Sequence, residues 1–474
     1  MGQEIASSRF DSQDYAVFAE RLRAETELLA QWLAQGALDG EGITGGCELE
    51  AWLVGPDSRP APRVEALLAR LDDPSVVPEL ATFNLEINGA PVALAGDALS
   101  RLAVGLTATL ERCSAAGGLE MAIALIGILP TVSPRQLTMA HMTPRARYRA
   151  LNDRIFALRH ERPLVLEIQG RDHLHLEWQD VMLESAATSF QIHLKVPPEL
   201  GARAYNASKI LSAPLVALGA NSPYLFGRDL WDETRVPLFE QAVSVGGPIL
   251  AERVGFGFRY AERSILETFQ ANLERYPILI PQLMDEPRER LAHLRLHNGT
   301  IWRWNRPLVG FDAGGRPHLR IEQRVLPSGP TVSDCIANAA LYFGAVWDLI
   351  RDPEPPELRL SFLQARAGFY TGAREGLEAR IHWLDGNLHP IRAILAEDLL
   401  PRARAGLAAL GIDRAEIDHW LGILAQRLAL GRTGARWQRS WVERHGPDMV
   451  GLTAAYLECQ RRGRPVHEWG PDCR

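Results

Sequence analysis

The chain predicts an α+β fold, a largely antiparallel sheet with flanking helices and a helical C-terminal part. Strands and helices alternate irregularly, without the even spacing of parallel βαβ units. Four separated segments alternate apolar residues with acidic, imidazole or guanidinium ones: Gly46 to Leu53, Phe83 to Asn88, Phe190 to Val196 and Leu319 to Val325. Beyond a break at Asp352-Pro353-Glu354-Pro355-Pro356, the chain is rich in Ala, Leu and Arg with helical periodicity to about residue 460. The expected division is therefore a body over residues 1–350 and a helical part over 351–474 packed on it.

The elements follow in order. Residues 14–38 read as an amphipathic helix, with Val17, Phe18, Leu22, Leu28, Leu29 and Trp32 near helical spacing. The first acidic strand follows, then a short helix at 65–71. The second strand, 84–88, runs into Gly89-Ala90-Pro91, a stop signal. A helix over 98–116 leads to an apolar strand over 119–129, ended by Pro130. Thr143-Pro144 starts a helix over 145–160, and short strands at 164–169 and 173–178 precede the third alternating strand. A helix over 199–218, despite Pro214, ends at Gly219-Ala220-Asn221-Ser222-Pro223, where the turn chemistry is strong. Strand character returns over 302–325, and 332–349 is an amphipathic helix.

At 474 residues the chain can bury a large core, and at 46% hydrophobic and 23% charged it has a globular composition. No stretch is apolar enough for a bilayer span, and residues 1–9 show no basic segment followed by an apolar one, so a cytoplasmic protein is expected. The net charge is −7 and the basic residues are scattered, which argues against a nucleic-acid partner. Lys195 and Lys209 are the two lysines, and neither ends a Gly-rich loop, which excludes the usual P-loop. The five cysteines are widely spaced, so reduced thiols and no zinc site are expected. H-E-x-x-H, G-x-S-x-G and a strand-to-helix G-x-G-x-x-G are missing as well.

Side chains on a strand alternate between faces, so Glu48, Glu50, Glu86, His193, Glu322 and Arg324 can project together from one sheet while the apolar set packs inward. Each alone reads as a wet strand face or a hydrogen-bonded structural residue. Gathered on one face, like-charged carboxylates repel and call for cations, which points to a metal–nucleotide enzyme.

Seven motifs, in one order over residues 40–350, carry a resemblance: Gly46-Cys47-Glu48-Leu49-Glu50, Asn84-Leu85-Glu86-Ile87-Asn88, Ala146-Arg147-Tyr148, Gln191-Ile192-His193, Ala220-Asn221-Ser222-Pro223-Tyr224 through Arg235, Ile301-Trp302 through Arg306-Pro307, and Ile321-Glu322-Gln323-Arg324. A weaker match continues through Thr433-Gly434-Ala435-Arg436. Together they resemble the glutamate–cysteine ligase type 2 family and the carboxylate–amine ligases close to it. The resemblance implies a glutamine synthetase-like curved antiparallel sheet whose concave face holds ATP, metal ions and small amino-acid substrates. It implies ATP- and Mg2+-dependent joining of a carboxylate to an amine through an acyl phosphate, typically glutamate to cysteine. It also implies Glu48, Glu86, His193 and Glu322 as metal ligands with Glu79 and Glu50 nearby, Arg324 on the transferring phosphate, and Arg147, Asn221, Ser222, Arg235 and Arg306 in substrate or nucleotide binding. The sequence departs from the family where Gln191 stands in place of a second histidine on its strand.

Magnesium prefers hard oxygen donors, so the glutamates suit it, whereas His193 is less natural and leaves Mn2+ open. A guanidino-kinase-like phosphotransferase and a silent metabolite-binding protein of the same fold are the alternatives, and a homo-oligomer is compatible with the sequence. Two further expectations can be checked against the fold. Arg235 and Arg306 read as loop residues whose truncation leaves the fold intact, and Glu322→Gln, by relieving carboxylate repulsion, is expected to leave the metal-free protein as stable or more so.

Overall fold

The computed structural model describes residues 5, 7–246, 252–470 and 473; most of the N-terminal stretch read for a leader lies outside them. Seven strands form one curled antiparallel sheet: β1 (Thr44–Val54), β2 (Val76–Pro78), β3 (Asn84–Ala93), β4 (Ala122–Ala124), β5 (Phe190–Lys195), β6 (Asn305–Phe311) and β7 (Pro317–Gln323). Their spatial order is β6-β7-β5-β1-β3-β2, with β4 pairing the far end of β1. All four alternating segments lie in this sheet, β1 at its centre.

The longer helices of the body are α1 (Ser12–Gln35), α2 (Ala98–Gly117), α3 (Ala146–Leu158), α4 (Gly201–Gly219) and α5 (Val332–Leu349). α1 is set by a capping box at Asp11 and stopped at Gly36, whose φ of 65° few side chains tolerate. The apolar face of the sheet, Leu49, Ala51, Leu85, Ile192, Leu194 and Ile321, is buried. α4 and α5 cover that side, and polar ties fix α4 to the sheet: Gln323 Nε2 donates to Ser208 O at 3.3 Å and Asn305 Nδ2 to Ser212 Oγ at 2.9 Å. The opposite face is left for the charged residues.

Two element expectations need correction. The second strand does not stop at Gly89 but pairs with β1 as far as Thr44↔Ala93, because a register shift between Gly45 and Cys47 absorbs the irregularity. Gly89 itself is required there, since a Cβ would lie 2.8 Å from Cys47 Sγ. The apolar run 119–129 is strand only at β4, since its next partners are side chains of a distant helix: Leu125 N donates to Gln460 Oε1 at 2.7 Å, and the Tyr456 hydroxyl donates to Leu125 O at 2.7 Å. The strand character expected over 302–325 takes the form of the hairpin β6–β7, turned at 312–316.

The C-terminal part contributes α6 (Phe362–Glu375), α7 (Leu400–Leu410), α8 (Arg414–Leu430), α9 (Gly434–His445) and α10 (Met449–Arg461). α7 crosses α5 backbone to backbone: a Cβ on Gly406 would lie 1.9 Å from Gly344 O. Buried Arg427 of α8 pairs with Asp334 of α5 at 2.8 Å. The cysteine expectation is also corrected, because Cys459 and Cys473, with Cα atoms 5.3 Å apart, are joined as a disulfide once the chain turns back after α10. Among the described residues no helix is long and apolar enough to cross a membrane.

Candidate functional site

Register determines which charges meet. Glu50 lies opposite Glu86 across β1–β3, Gly46 opposite His193 and Glu48 opposite Gln191 across β1–β5, Glu322 opposite His193 across β7–β5, and Arg306 opposite Glu322 across β6–β7. Gly46 leaves room beside the imidazole, with His193 Cβ 3.9 Å from where its own Cβ would stand. Two sets of three donors result, each with ligand atoms within 4.8 Å of one another: Glu48, His193 and Glu322, and Glu50, Glu79 and Glu86.

The first set is already balanced by cations. Arg306 grips Glu322 with two bonds, Nε to Oε2 at 2.7 Å and Nη2 to Oε1 at 2.9 Å, and Arg324 Nη1 adds a third at 3.1 Å. Burial pushes the Glu322 carboxyl up, but Arg306, Arg324 and His193 outweigh it and hold it well below the usual range. Burial likewise opposes ionisation of Glu48, yet His193, with Nε2 3.2 Å from Oε1, holds the carboxyl down at about 2. Arg320 Nε stands 3.2 Å from His193 Nδ1, and in the tautomer that accepts this bond the ring proton sits on Nε2, the atom facing the two glutamates. Coordination through Nε2 therefore requires Arg320 to leave Nδ1.

In the second set, neither Glu50 nor Glu79 makes an ion pair of that kind among the described residues. Glu50 accepts from Ser189 N at 2.6 Å and from Gln191 Nε2 at 2.8 Å, and the Gln191 carbonyl in turn accepts from Arg324. Gln191 thus links Glu50 to Arg324, where a histidine could not offer donor and acceptor in the same way. Burial, then the charge of Glu86, raises the Glu50 carboxyl against the pull of Arg324; burial, then Glu86 and Glu50, raises Glu79 well above the usual range. Oε1 of Glu79 is buried without a hydrogen-bond partner. Three converging oxygens, two of them on carboxyls that resist ionisation, fit a hard divalent cation better than the first set does.

Of these groups, Glu48, Glu79 and Glu322, with Arg306 and Arg320, line a cavity of about 560 Å³. Its apolar lining includes Leu151, Val181, Phe239, Val243, Ile280 and Trp302, and Glu184, Arg290 and Arg295 line it as well. Arg147 reaches the cavity with its guanidinium 4.6 Å over the Tyr148 ring and Nη2 2.7 Å from that hydroxyl. Burial, then Glu50, pushes the Glu184 carboxyl up to about 8. Cys47 faces the core, and burial raises its thiol to about 12, which removes the reactive cysteine a guanidino-kinase-like reading needs.

Arg235, Asn221 and Ser222 are placed differently from the cavity groups. Arg235 opens the helix Arg235–Ala242 and is 2% exposed, its guanidinium donating to Glu233 at 3.1 Å and to Arg324 O and Val325 O at 3.2 and 2.6 Å. It clamps the backbone behind Arg324. The loop expectation is corrected for Arg306 too, which lies on β6 in the centre of a buried ion-pair network. Asn221 donates to Ser328 O and the Tyr456 hydroxyl, both at 2.8 Å, and accepts from Gln438 at 3.0 Å, while Ser222 Oγ accepts from Arg235 N at 3.2 Å. These contacts join the body to α9 and α10. Arg320 was legible in the alternation, two residues before Glu322, but was missed; Glu184, Arg290 and Arg295 lie in segments with no such signal.

Compared with curated proteins, the chain has no significant match. Among solved structures it is similar to the glutamate–cysteine ligase of Francisella tularensis in complex with AMP, at 12% identity and a TM-score of 0.55, with 92% of this chain and 91% of that chain covered. A bifunctional glutathione synthetase from Pasteurella multocida gives a TM-score of 0.48 at 11% identity, covering 94% of this chain and 54% of that chain. The first likeness shows the fold. The model of glutamate–cysteine ligase family 2 matches residues 44–453, a span that holds every strand of the sheet and both donor sets, and the chain therefore belongs to that family and is an ATP-dependent carboxylate–amine ligase.

Proposed function

We propose that the protein uses ATP and divalent cations, Mg2+ or Mn2+, to join the γ-carboxylate of L-glutamate to the amine of a second amino acid through an acyl phosphate, with L-cysteine the first candidate. The observation that carries this reading is the pair of three-donor sets, with Arg306, Arg320 and Arg324 beside them, next to a cavity of about 560 Å³ that Glu48, Glu79 and Glu322 line. A carboxylate is a poor acyl donor because oxide would have to leave. Its oxygen instead attacks the γ-phosphorus, ADP departs, the amine nitrogen attacks the acyl carbon, and phosphate leaves. When bound, divalent cations supply positive charge against the phosphate oxygens during transfer.

Glu50, Glu79 and Glu86 would hold one cation through oxygen alone. Glu48 and Glu322 would hold another, with His193 joining once Arg320 turns to the phosphate. Arg324, steered by Gln191 and by the Arg235 clamp, is suited to orient the transferring group with a planar fork of donors. The amine arrives as an ammonium and must shed a proton before attack. Glu184 lines the cavity with a carboxyl pushed up to about 8, and its ionised form, which gains ground as pH rises toward 8, is suited to accept it.

The test is mass measurement of products from a panel of acids and amines with Mg-ATP. A γ-glutamyl amide is expected. Product from other acids but none from glutamate rejects the substrate and keeps the chemistry, and nucleotide binding with no product from any pair favours a silent binding protein.

A further inference from the structure

A second cavity, of about 150 Å³, lies between α4, the helix Leu266–Arg275 and the segment leading into β6, and Tyr205, Phe258, Arg259, Tyr260, Arg275 and Arg303 line it. It shares no lining residue with the large cavity. Arg303 is 4% exposed, and its Nε and Nη2 are buried without hydrogen-bond partners, as is the Tyr260 hydroxyl. The polar neighbours of this guanidinium are the hydroxyls of Tyr205 and Tyr276, and among the described residues it makes no ion pair. The buried Lys209 lies nearby, its Nζ donating to Phe256 O and standing 4.6 and 4.8 Å from the ring centroids of Tyr205 and Phe256. Glu267 lines the cavity but is taken by Arg259 at 3.0 Å and the Arg263 backbone at 2.7 Å.

An arginine cannot shed its charge on burial, and an unpaired buried charge is costly. We propose that this cavity binds a small oxyanion, a phosphate or a carboxylate, held by Arg303 with the Tyr260 hydroxyl and the lining Arg275. The volume admits inorganic phosphate or the carboxylate end of an amino acid and is too small for a nucleotide. The site lies next to the ligase cavity through one short stretch of chain. Trp304 N donates to Gly255 O at 3.1 Å, fixing the stretch against the loop that carries Phe258 and Tyr260, while Thr300, Trp302 and Arg306 line the large cavity.

Titration calorimetry of the full chain with inorganic phosphate and, separately, with acetate tests this, the two arms separating phosphate from carboxylate. Binding of at least one is expected. Arg303→Gln should weaken it by about tenfold or more, the loss of one charge-assisted contact. Without anion that variant should melt close to the parent, since loss of the contacts of the guanidinium with the Phe258 and Tyr276 rings offsets removal of the buried charge. Tyr260→Phe keeps the ring and should also weaken binding, and it serves as the test if Arg303→Gln fails to fold. Binding of neither anion, or an isotherm unchanged in the variant that folds, overturns the proposal.

Discussion

Glu322 shows how far a single residue's role depends on register. The expectation of relieved repulsion took its neighbours to be carboxylates, but three bonds from Arg306 and Arg324 surround it. Glu322→Gln therefore strands two buried guanidinium groups, and unfolding in urea should show a loss of about 3 to 5 kcal/mol, with ADP formation falling by orders of magnitude. Unchanged stability would remove this charge balance from the account. Glu240 gives the opposite sign. Burial pushes its carboxyl up to about 7 although Trp304 and Tyr370 each donate to it at 2.8 Å. Between pH 4.5 and 7 the folded state then binds more protons than the unfolded one, so this group costs stability as pH rises through that window, at most about 3 kcal/mol. Glu240→Gln should melt higher than the parent at pH 8 and alike at pH 4.5; equal melting at both would sink the assignment. Strand alternation made Glu48, Glu50, Glu86 and Glu322 legible before the fold was known. Which cation faced which anion was not, because Arg306↔Glu322 and Glu48↔Gln191 are cross-strand facts.

Elements were legible where local pattern and partner agreed. α1, α4 and α5 follow their apolar spacing, and the four alternating strands all pair. The run 119–129 reads as strand but finds side-chain partners on α10 instead, some 335 residues away in sequence, which no local pattern records. Glycines at helix crossings are similarly silent. Gly406→Ala should destabilise the fold by about 1 to 3 kcal/mol, because its Cβ meets the Gly344 carbonyl and neither backbone can give. Gly422→Ala, in α8 with nothing within 4 Å of the added Cβ, should be neutral or stabilise by up to about 1 kcal/mol. Thermal melts of the two variants decide it, and equal effects would mean that the crossing is not tight.

At the scale of the whole molecule, the composition break at 352–356 marked off a helical part expected to pack on the body. Asn221, Tyr456, Gln438 and the Arg427–Asp334 pair tie α8, α9 and α10 to the body, by contacts among residues more than 90 apart. A chain ended at residue 350 should therefore lack a cooperative unfolding transition, since it uncovers the inner face of α5 and deprives the buried Asp334 and Asn221 of their partners in α8, α9 and α10. A soluble fragment melting cooperatively would make the C-terminal part an independent unit. The central claim, that the two donor sets and their arginines drive phosphoryl transfer to a carboxylate, is tested most directly by phosphorus NMR of the intact protein with ATP, Mg2+, L-glutamate and L-cysteine, omitting each in turn. The account predicts ADP and inorganic phosphate, formed only when both the cation and the acid are present; AMP and pyrophosphate, or ADP formed without the acid, would contradict it.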